Sequence, residues 1–387
     1  MQNFVYDIPT IVYFGKGQIE NLGRLAAECG KKALIVYGGG SIKKNGLFDT
    51  AITKLKEFDV DYVELGGVEP NPKIESVRKG VEICKKENID VIIPIGGGSV
   101  IDCAKGIAIG AKYDGDAWDL VVDTGKIKEA LPVITVLTIA ATGTEMDFYA
   151  VISNMEVNDK ISIDNRCMFP KYSILDPTYT ETVSAYQTAS GTADIMSHVF
   201  EVYFQKCGDT FIQDSFMEAI MKTCVKYGKK AIDTPGDYDA RANLMWASSW
   251  AINGMIACGK AGAWVCHPIE HQLSAFYDIT HGMGLAVIIP HWMQKILDDS
   301  IVDVFVSYGV NVFGIDASLP KYDIANLAIE KTREFFDSMN IPKTLRELGI
   351  TEKSKFDIMA EKAAKGLDKA YCPLTKEDVL EIFEAAF

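Results

Sequence analysis

The sequence lacks the features that mark nucleic-acid-binding, membrane and secreted proteins. Its 39 Lys and Arg residues are outnumbered by 53 Asp and Glu residues, giving a net charge of −14. A nucleic-acid-binding face needs clustered Lys and Arg, so we expect no nucleic-acid partner. No apolar run approaches the ~20 residues of a membrane helix. No basic segment followed by an apolar core opens the chain, so we expect neither a signal peptide nor membrane insertion.

Cysteine is present, but not in a pattern that predicts disulfides or a zinc site. The nine cysteines are an odd number, are scattered along the chain and contain no CxxC pair. Free thiols in a reducing compartment explain this pattern best, and we therefore expect a cytoplasmic protein. Histidine is scarce as well, with five residues in the chain. Any clustering of those histidines is therefore informative.

The length of 387 residues predicts two domains, because a single core rarely grows so large. In the first half, short β-branched segments (32–41, 61–67, 90–102 and 131–145) alternate with helical segments (46–58 and 74–88). This alternation predicts an α/β domain with a mainly parallel sheet, which we place at residues 1–184. From about residue 185 the periodicity is helical throughout, so residues 185–387 are predicted to form an all-α domain.

Two predicted strands end in the same sequence, GGGS, at residues 38–41 and 96–99. Consecutive glycines let backbone N–H groups approach a ligand, and a following helix directs its positive end at an anion. A single turn of this kind could simply connect a strand to a helix without binding a ligand. Both turns, however, lie at the carboxyl ends of predicted strands, where open α/β sheets bind ligands. The first turn has no acidic residue to repel a 2′-phosphate, and Lys43 and Lys44 follow it. The pattern therefore favours NADP(H) over NAD(H).

Aspartate and histidine recur at one-turn spacing in the second half. Asp194 and His198 are four residues apart in an otherwise apolar helix, as are His267 and His271. Such residues project from one face and can converge on one point. His281 follows in DITHGMG, where the glycines suggest a turn that returns it to the same place. A single pair alone would be read as a hydrogen-bonded core pair, but two pairs and a third histidine favour a Zn²⁺ or Fe²⁺ site.

These residues resemble the iron-containing (group III) alcohol dehydrogenases, and within them the butanol dehydrogenases of anaerobic bacteria. The resemblance extends over essentially the whole chain. Besides the GGGS turns and the aspartate and histidines, it rests on PTIVYFGKG (9–17), EPNP (69–72), TIAATGTE (138–145), LDPTYT (175–180) and YDITHGMGLA (277–286).

The resemblance implies a dehydroquinate-synthase-like architecture: an α/β dinucleotide-binding domain, a helical metal-binding domain and an active site in the cleft between them. It implies that the metal ligands are Asp194, His198, His267 and His281. The expected ion is Fe²⁺, with Zn²⁺ possible, and the expected assembly is a homodimer. His271 is expected near the nicotinamide as a non-ligand, where its ordinary pKa near 6.5 suits it to relay a proton.

The resemblance also assigns residues to the cofactor. The adenosine end is expected at Gly39, Gly40 and Ser41, with Asn71 nearby. The pyrophosphate is expected at Gly97, Gly98, Ser99 and Asp102, and the nicotinamide side at Thr138, Thr142 and Lys160.

The implied reaction is metal-dependent hydride transfer between NADP(H), with NAD(H) as the alternative nucleotide, and a short-chain primary alcohol or aldehyde such as butanol or butanal. A metal- and NAD-dependent lyase or cyclase of the dehydroquinate-synthase-like fold is the alternative, and a non-catalytic binding protein is a third. A lyase pocket for a phosphorylated sugar acid would need several Lys and Arg near the ligands. The segments 195–204 and 267–281 are instead poor in cations and rich in aromatic residues.

Overall fold

The computed structural model describes residues 1–205, 208–260 and 262–387. These residues form two compact units, one of Asp7–Val183 and the other of Met1–Tyr6 together with Ser184–Phe387. The first six residues therefore belong with the helical unit. There the backbone N–H of Gln2 donates to the carbonyl of Gly259 at 2.9 Å.

The α/β unit is built on a parallel sheet, as the alternation of strand and helix patterns predicted. The strands are β1 Ile11–Phe14, β2 Lys32–Val36, β3 Asp61–Leu65, β4 Val91–Gly96, β5 Ile134–Leu137, β6 Tyr149–Asn154, β7 Asp159–Asp164 and β8 Tyr172–Leu175. In the described residues the sheet has six strands in the order β1-β8-β5-β4-β2-β3, and a separate antiparallel hairpin pairs β6 with β7. The helices are α1 Leu22–Ala27, α2 Ser41–Lys44, α3 Leu47–Lys56, α4 Ile74–Glu87, α5 Gly98–Gly110 and α6 Ala117–Val122.

The central strand β4 explains why this sheet is covered on both faces. Its sequence, VIIPIG, is buried at every position, which is typical of a parallel strand with helices above and below. One core contains residues of α4, α5 and α6, and the other contains residues of α1 and α3. Both glycine turns follow strands of this sheet, so the two turns share its carboxyl edge.

The sequence analysis did not identify β1, β8 or the hairpin of β6 and β7. The first two strands have four residues each, which is too short for a clear alternation of polar and apolar residues. The hairpin follows the last segment that the parallel-sheet pattern accounts for, and its two strands pair locally and antiparallel. Short strands of this kind are recognised only once their partners are known.

The C-terminal unit is helical in its described residues, as predicted. Its helices are α7 Ala185–Tyr203, α8 Phe211–Asp233, α9 Tyr238–Trp250, α10 Cys266–Tyr277, α11 His281–Ile296, α12 Val302–Phe313, α13 Lys321–Ser338, α14 Phe356–Ala363 and α15 Lys376–Ala386. Helix α7 is buried continuously from Thr188 to Tyr203, so it is a central helix and not an amphipathic surface helix. Among the described residues, no helix is both long and apolar enough to cross a membrane.

Candidate metal centre and nucleotide site

Helix α7 carries the first two residues of the candidate metal centre. The side chain of Ser184 caps the helix by accepting the N–H of Gln187, which fixes where the first turn begins. Asp194 and His198 follow on one face, with Asp194 Oδ1 3.7 Å from His198 Nε2. Each is only 3% exposed. A polar pair this deeply buried needs further partners, because isolated polar groups are costly to bury.

The other histidines lie at the beginnings of two consecutive helices. His267 is the second residue of α10, and His281 is the first residue of α11. The turn between these helices is made by residues 278–280, with Asp278 in the left-handed conformation at φ 50°. This short connection reverses the direction of the chain, so that α11 begins close to the start of α10. It therefore brings His281 back to His267, with 5.2 Å between the ring centroids.

The glycines of HGMG do not form the turn that the sequence analysis assigned to them. Gly282 and Gly284 lie inside α11, where each allows a close approach. A Cβ atom on Gly282 would lie 2.1 Å from the carbonyl oxygen of Ser190 in α7, and one on Gly284 would lie 2.9 Å from Glu270 Cγ in α10. That interpretation was therefore wrong. The glycines instead let α11 pack tightly against the two helices that carry the other site residues.

The site residues converge on the carboxylate of Asp194. Its Oδ1 lies 3.7 Å from His281 Nε2 and 3.9 Å from His267 Nε2. Among the described residues, donor atoms of Asp194, His267 and His281 all lie within 4.8 Å of one another. His198 belongs to the cluster because its Nε2 lies near the same Asp194 oxygen. Its ring stacks on that of His267, with 4.9 Å between the ring centroids. Ligand atoms about 2.1 Å from one tetrahedral ion are about 3.4 Å apart, so this cluster is close to the size needed.

The chemistry of the donor atoms fits a divalent cation. Burial, with the neighbouring His267 and His281, lowers the pKa of His198 well below its ordinary value, so its imidazole is neutral and offers a lone pair. Within the described part of the chain, His267 Nε2 is buried and has no hydrogen-bond partner. Asp194 adds an anionic oxygen. One carboxylate and several neutral imidazoles are ligands that both Zn²⁺ and Fe²⁺ accept.

Two buried glutamates, which the sequence analysis did not single out, contact Nδ1 of His267 and His281, the ring nitrogen that does not face Asp194. Glu201 Oε1 lies 2.8 Å from His267 Nδ1, and Glu270 Oε2 is hydrogen-bonded to His281 Nδ1. Glu201 follows Asp194 by seven residues on α7, so it shares that face of the helix. This spacing was the available signal, but nothing in it indicates which histidine the glutamate meets.

His271 lies at the edge of the histidine cluster. It is half-buried, and its ring centroid is 5.5 Å from that of His281 and 6.1 Å from that of His267. The structure thus brings it beside the predicted ligands and leaves its side chain partly accessible. Its proton-relay role remains a prediction.

The first glycine turn combines a left-handed residue with free space. Gly40 has φ 90°, which favours glycine. A Cβ atom added to Gly39 or Gly40 would meet no atom within 4 Å, so this backbone is open to a ligand. Ser41 begins α2 directly after the turn. A Cβ atom added to Gly38 would lie 3.7 Å from the side chain of Val100 in α5. Since α5 begins in the second glycine turn, the two turns are neighbours.

The second glycine turn is shaped by its neighbour, the segment after β5. Helix α5 begins at Gly98, with Gly97 before it and Ser99 in its first turn. A Cβ atom on Gly98 would lie 2.4 Å from Thr142 Oγ1, and the N–H of Thr138 donates to the carbonyl of Gly96 at 3.0 Å. The structure therefore groups Thr138 and Thr142 with this turn. Glycine is needed at residue 98 for packing, whether or not a phosphate binds there.

Asp102 is directed into the α/β unit. Its two carboxylate oxygens accept hydrogen bonds from the Thr144 hydroxyl at 2.7 Å and the Val151 N–H at 2.9 Å. Burial raises its pKa to about 6. The neighbouring Lys105, fully buried, donates to Thr144 Oγ1, to Asp147 Oδ1 and to two backbone carbonyls. This buried network, missed by the sequence analysis, ties α5 to the segment that carries Thr142.

Asn71 and Lys160 lie on neighbouring segments of the same unit. Asn71 is buried and has a left-handed backbone with φ 49°. The next residue, Pro72, accepts the N–H of Ser153 at 2.9 Å, and Ser153 is opposite Lys160 in the hairpin. The EPNP segment therefore lies against the hairpin, although its residues are far from Lys160 in sequence.

A carboxylate from the next strand lies beside the first glycine turn. Glu64 of β3 accepts a hydrogen bond from Tyr37 at 2.9 Å and forms an ion pair with Lys43 at 2.6 Å. Lys43 also lies 4.4 Å from the ring centroid of Phe48. The sequence analysis counted Lys43 as an available cation. In the structure its charge is already balanced by Glu64.

Two family sequence profiles and several known proteins match this chain over most of its length. Residues 9–177 match the sequence profile described as iron-containing alcohol dehydrogenase, and residues 188–387 match that of the C-terminal part of the Fe-containing alcohol dehydrogenase family. The chain is 54% identical to NADH-dependent butanol dehydrogenase A of Clostridium acetobutylicum, with 100% of each chain covered. It is 37% identical to an NADPH-dependent aldehyde reductase of Escherichia coli, covering 92% of this chain and 91% of that one.

The same likeness extends to solved structures. The crystal structure of NADH-dependent butanol dehydrogenase A from Thermotoga maritima matches with a TM-score of 0.94 and 37% identity, covering 100% of this chain and 99% of that chain.

Proposed function

Because this chain belongs to the iron-containing alcohol dehydrogenase family, we propose that it transfers hydride between NAD(P)H and a short-chain primary aldehyde such as butanal, reversibly giving the alcohol. The observation that carries the proposal is the convergence of three histidine nitrogens within 3.9 Å of Asp194 Oδ1. The α/β unit adds adjacent glycine turns at the carboxyl edge of a parallel sheet. Family membership favours this reaction over the lyase alternative.

We propose Asp194, His198, His267 and His281 as the residues that hold the metal. A divalent ion bound there would supply a Lewis acid that stabilises negative charge on the substrate oxygen during hydride transfer. The protein's part is to orient the three imidazole nitrogens toward Asp194, and burial favours the neutral form of His198 by lowering its pKa. For the dinucleotide we propose the two glycine turns with Thr138, Thr142, Asn71 and Lys160. Asp102 would stabilise the second turn through the hydrogen bonds that it accepts from Thr144 and Val151.

The proposed activity is tested by following the absorbance of reduced nicotinamide with butanal and Fe²⁺-loaded protein. A dehydrogenase consumes one reduced nucleotide for each aldehyde reduced. A lyase recycles its nucleotide, and a binding protein consumes none. Stoichiometric consumption that depends on added aldehyde is the expected result, and its absence with C2 to C6 aldehydes would overturn the proposal. We also propose a homodimer, which sedimentation equilibrium would check.

His271→Ala is expected to lower kcat by about 10²- to 10⁴-fold while leaving bound metal unchanged, because a positioned acid or base contributes about that much. The half-buried ring lies beside His281 but outside the set around Asp194. The measurements are kcat for butanal across pH 5 to 9 and metal content by elemental analysis. His291→Ala, which changes another half-buried histidine, is the matched control and should keep kcat. Loss of metal in His271→Ala would contradict the relay role.

The choice between nucleotides depends on the first glycine turn. The sequence favoured NADP(H) through Lys43 and Lys44, but Glu64 balances the charge of Lys43. Similar proteins include an NADH-dependent butanol dehydrogenase and an NADPH-dependent aldehyde reductase. We therefore propose that the chain accepts both nucleotides and that the ion pair of Lys43 with Glu64 limits its preference for NADPH.

Glu64→Gln is accordingly expected to raise the ratio of kcat/KM for NADPH to that for NADH by about five- to tenfold. This corresponds to about 1 kcal/mol gained by a 2′-phosphate when a carboxylate beside Lys43 becomes neutral. Matched kinetics with both nucleotides provide the measurement. Glu57→Gln is the control, since Glu57 forms an exposed ion pair with Lys54. An unchanged ratio in Glu64→Gln would argue that the 2′-phosphate does not approach Lys43.

A further inference from the structure

We propose that Glu201 and Glu270 are positioning residues of the metal centre, which hold His267 and His281 so that Nε2 of each ring is presented to the ion. The inference rests on the proposed function, since it concerns the same metal. Neither residue is among the four proposed ligands. Their role is to act on the ligands through hydrogen bonds to the opposite ring nitrogens.

A neutral imidazole carries one proton that either ring nitrogen can hold, and only the other nitrogen can then bind a metal. A carboxylate oxygen only accepts hydrogen bonds, so Nδ1 of His267 must donate to Glu201. The same reasoning applies to Nδ1 of His281 and Glu270. In both rings the lone pair is therefore on Nε2, the nitrogen that faces Asp194. Such partners fix the tautomer and ring orientation of metal-binding histidines.

Glu201 is held in place by the start of α10. It accepts the backbone N–H of Val265 at 2.6 Å and that of His267 at 2.7 Å. The residue before α10 provides no side-chain cap, so Glu201 supplies from α7 the acceptor that these N–H groups need. It therefore joins the backbone and ring of His267 to the helix that carries Asp194 and His198. Its loss would disturb both α10 and the ring.

Glu270 is held more locally, by a contact within α10 itself. Its Oε1 accepts the hydroxyl of Ser274, one turn later on α10, and its side chain is fully buried. Gly284 of α11 leaves the room it occupies, because a Cβ atom there would lie 2.9 Å from Glu270 Oε1. Changing Glu270 therefore tests orientation of a ligand without removing the capping interactions at the start of α10.

His198 provides an internal contrast. In the described part of the chain, its Nδ1 is buried and has no hydrogen-bond partner. Two of the three proposed histidine ligands thus have a carboxylate partner at Nδ1, whereas in the described residues Nδ1 of the third has none. Carboxylate partners make imidazole a stronger donor and typically account for about 10- to 100-fold in metal affinity. We therefore expect the affinity of this site to depend strongly on Glu201 and Glu270.

The experiment compares Glu270→Gln and Glu201→Gln with wild type in the full-length protein. Zn²⁺ affinity is measured by chelator competition, and the visible spectrum is recorded with Co²⁺ as a coordination probe; neither readout requires activity. Glu218→Gln is the matched control: Glu218 is also in the helical unit, but it accepts from Tyr203 and Asn311.

Zn²⁺ affinity is expected to fall about 10- to 100-fold in Glu270→Gln, with a changed Co²⁺ spectrum and the circular dichroism of wild type. Glu201→Gln is expected to lose affinity and also to unfold at a lower temperature. Wild-type affinity and an unchanged spectrum in Glu270→Gln would overturn the inference while leaving the proposed function intact. If wild type itself bound no metal, both proposals would fail.

Discussion

Replacing His281 with alanine is expected to remove bound metal and catalysis together. Three imidazole nitrogens surround Asp194 Oδ1, and His281 Nε2 is one of them at 3.7 Å. Without it the ion would keep at most three of the four proposed ligands, and Glu270 Oε2 would lose its hydrogen bond with the imidazole. Because metal catalysis of this kind supplies several kcal/mol to the transition state, kcat for butanal should fall by about 10³-fold or more.

Metal content by elemental analysis and kcat with saturating Fe²⁺ measure the two losses independently. His291→Ala, in the same helix, should keep both. His281→Ala also removes the hydrogen bond between residue 281 and the buried Glu270. A companion variant, His281→Gln, has an amide that can donate to Glu270, so it separates loss of the metal ligand from loss of this hydrogen bond. Wild-type metal occupancy in both His281 variants would rule out His281 as a ligand.

The parts of this centre that the sequence predicted are those encoded by local spacing. Asp194 and His198 are one helical turn apart, and a single turn of helix places them on one face whatever surrounds them. The parallel sheet was likewise predictable, since crossover helices between apolar strands leave few other arrangements. Both inferences needed only residues close together in the chain.

The parts that were not predicted depend on contacts between distant residues. Glu201 and His267 are 66 residues apart, and no periodicity relates them. Lys43 is in α2, directly after the first glycine turn, and Glu64 is on β3. Their pairing is therefore known only once β2 and β3 are adjacent. The role of Gly284 is similar, because its missing side chain matters only against Glu270 of another helix. Tertiary packing, not local propensity, determined each of these features.

The two glutamates also change the charge expected at the metal centre. With Asp194 as the only carboxylate, a divalent ion and three neutral imidazoles carry a net charge near +1. The carboxylates of Glu201 and Glu270 lie one imidazole further out, and as anions they bring the total near −1. On this proposal, stabilisation of an alcohol oxygen would come from a bound ion at short range. The outer carboxylates would instead strengthen the imidazoles proposed to hold that ion.

A second large effect is expected in the α/β unit, where Lys105→Met should lower the free energy of unfolding by about 3 to 5 kcal/mol. Lys105 is fully buried and its ammonium group lies 2.7 Å from Asp147 Oδ1, with Asp102 nearby through Thr144. Methionine preserves much of the side-chain volume but leaves buried carboxylates without their cation. Breaking a buried ion pair by removing one partner typically costs this much. Urea unfolding monitored by fluorescence would measure it.

The pH dependence of this loss identifies its cause. Burial raises the pKa of Asp102 to about 6 and also raises that of Asp147. A carboxyl group whose pKa is raised on folding binds its proton more tightly in the folded state, so its contribution to stability decreases as pH rises from about 4 to about 6. Without Lys105 the penalty should grow, and Lys105→Met should therefore lose less stability at pH 5 than at pH 8.

Two further variants separate an unpaired charge from a packing defect. Lys105→Met combined with Asp147→Asn removes one stranded carboxylate, while the amide oxygen can still accept the N–H of Tyr149; it should recover at least about 1 kcal/mol at pH 8. Lys112→Met, at an exposed residue of the same unit, should change stability by less than about 0.5 kcal/mol. A loss in Lys105→Met that is independent of pH and is not recovered by Asp147→Asn would mean that packing, and not charge, holds α5 to the segment that carries Thr142.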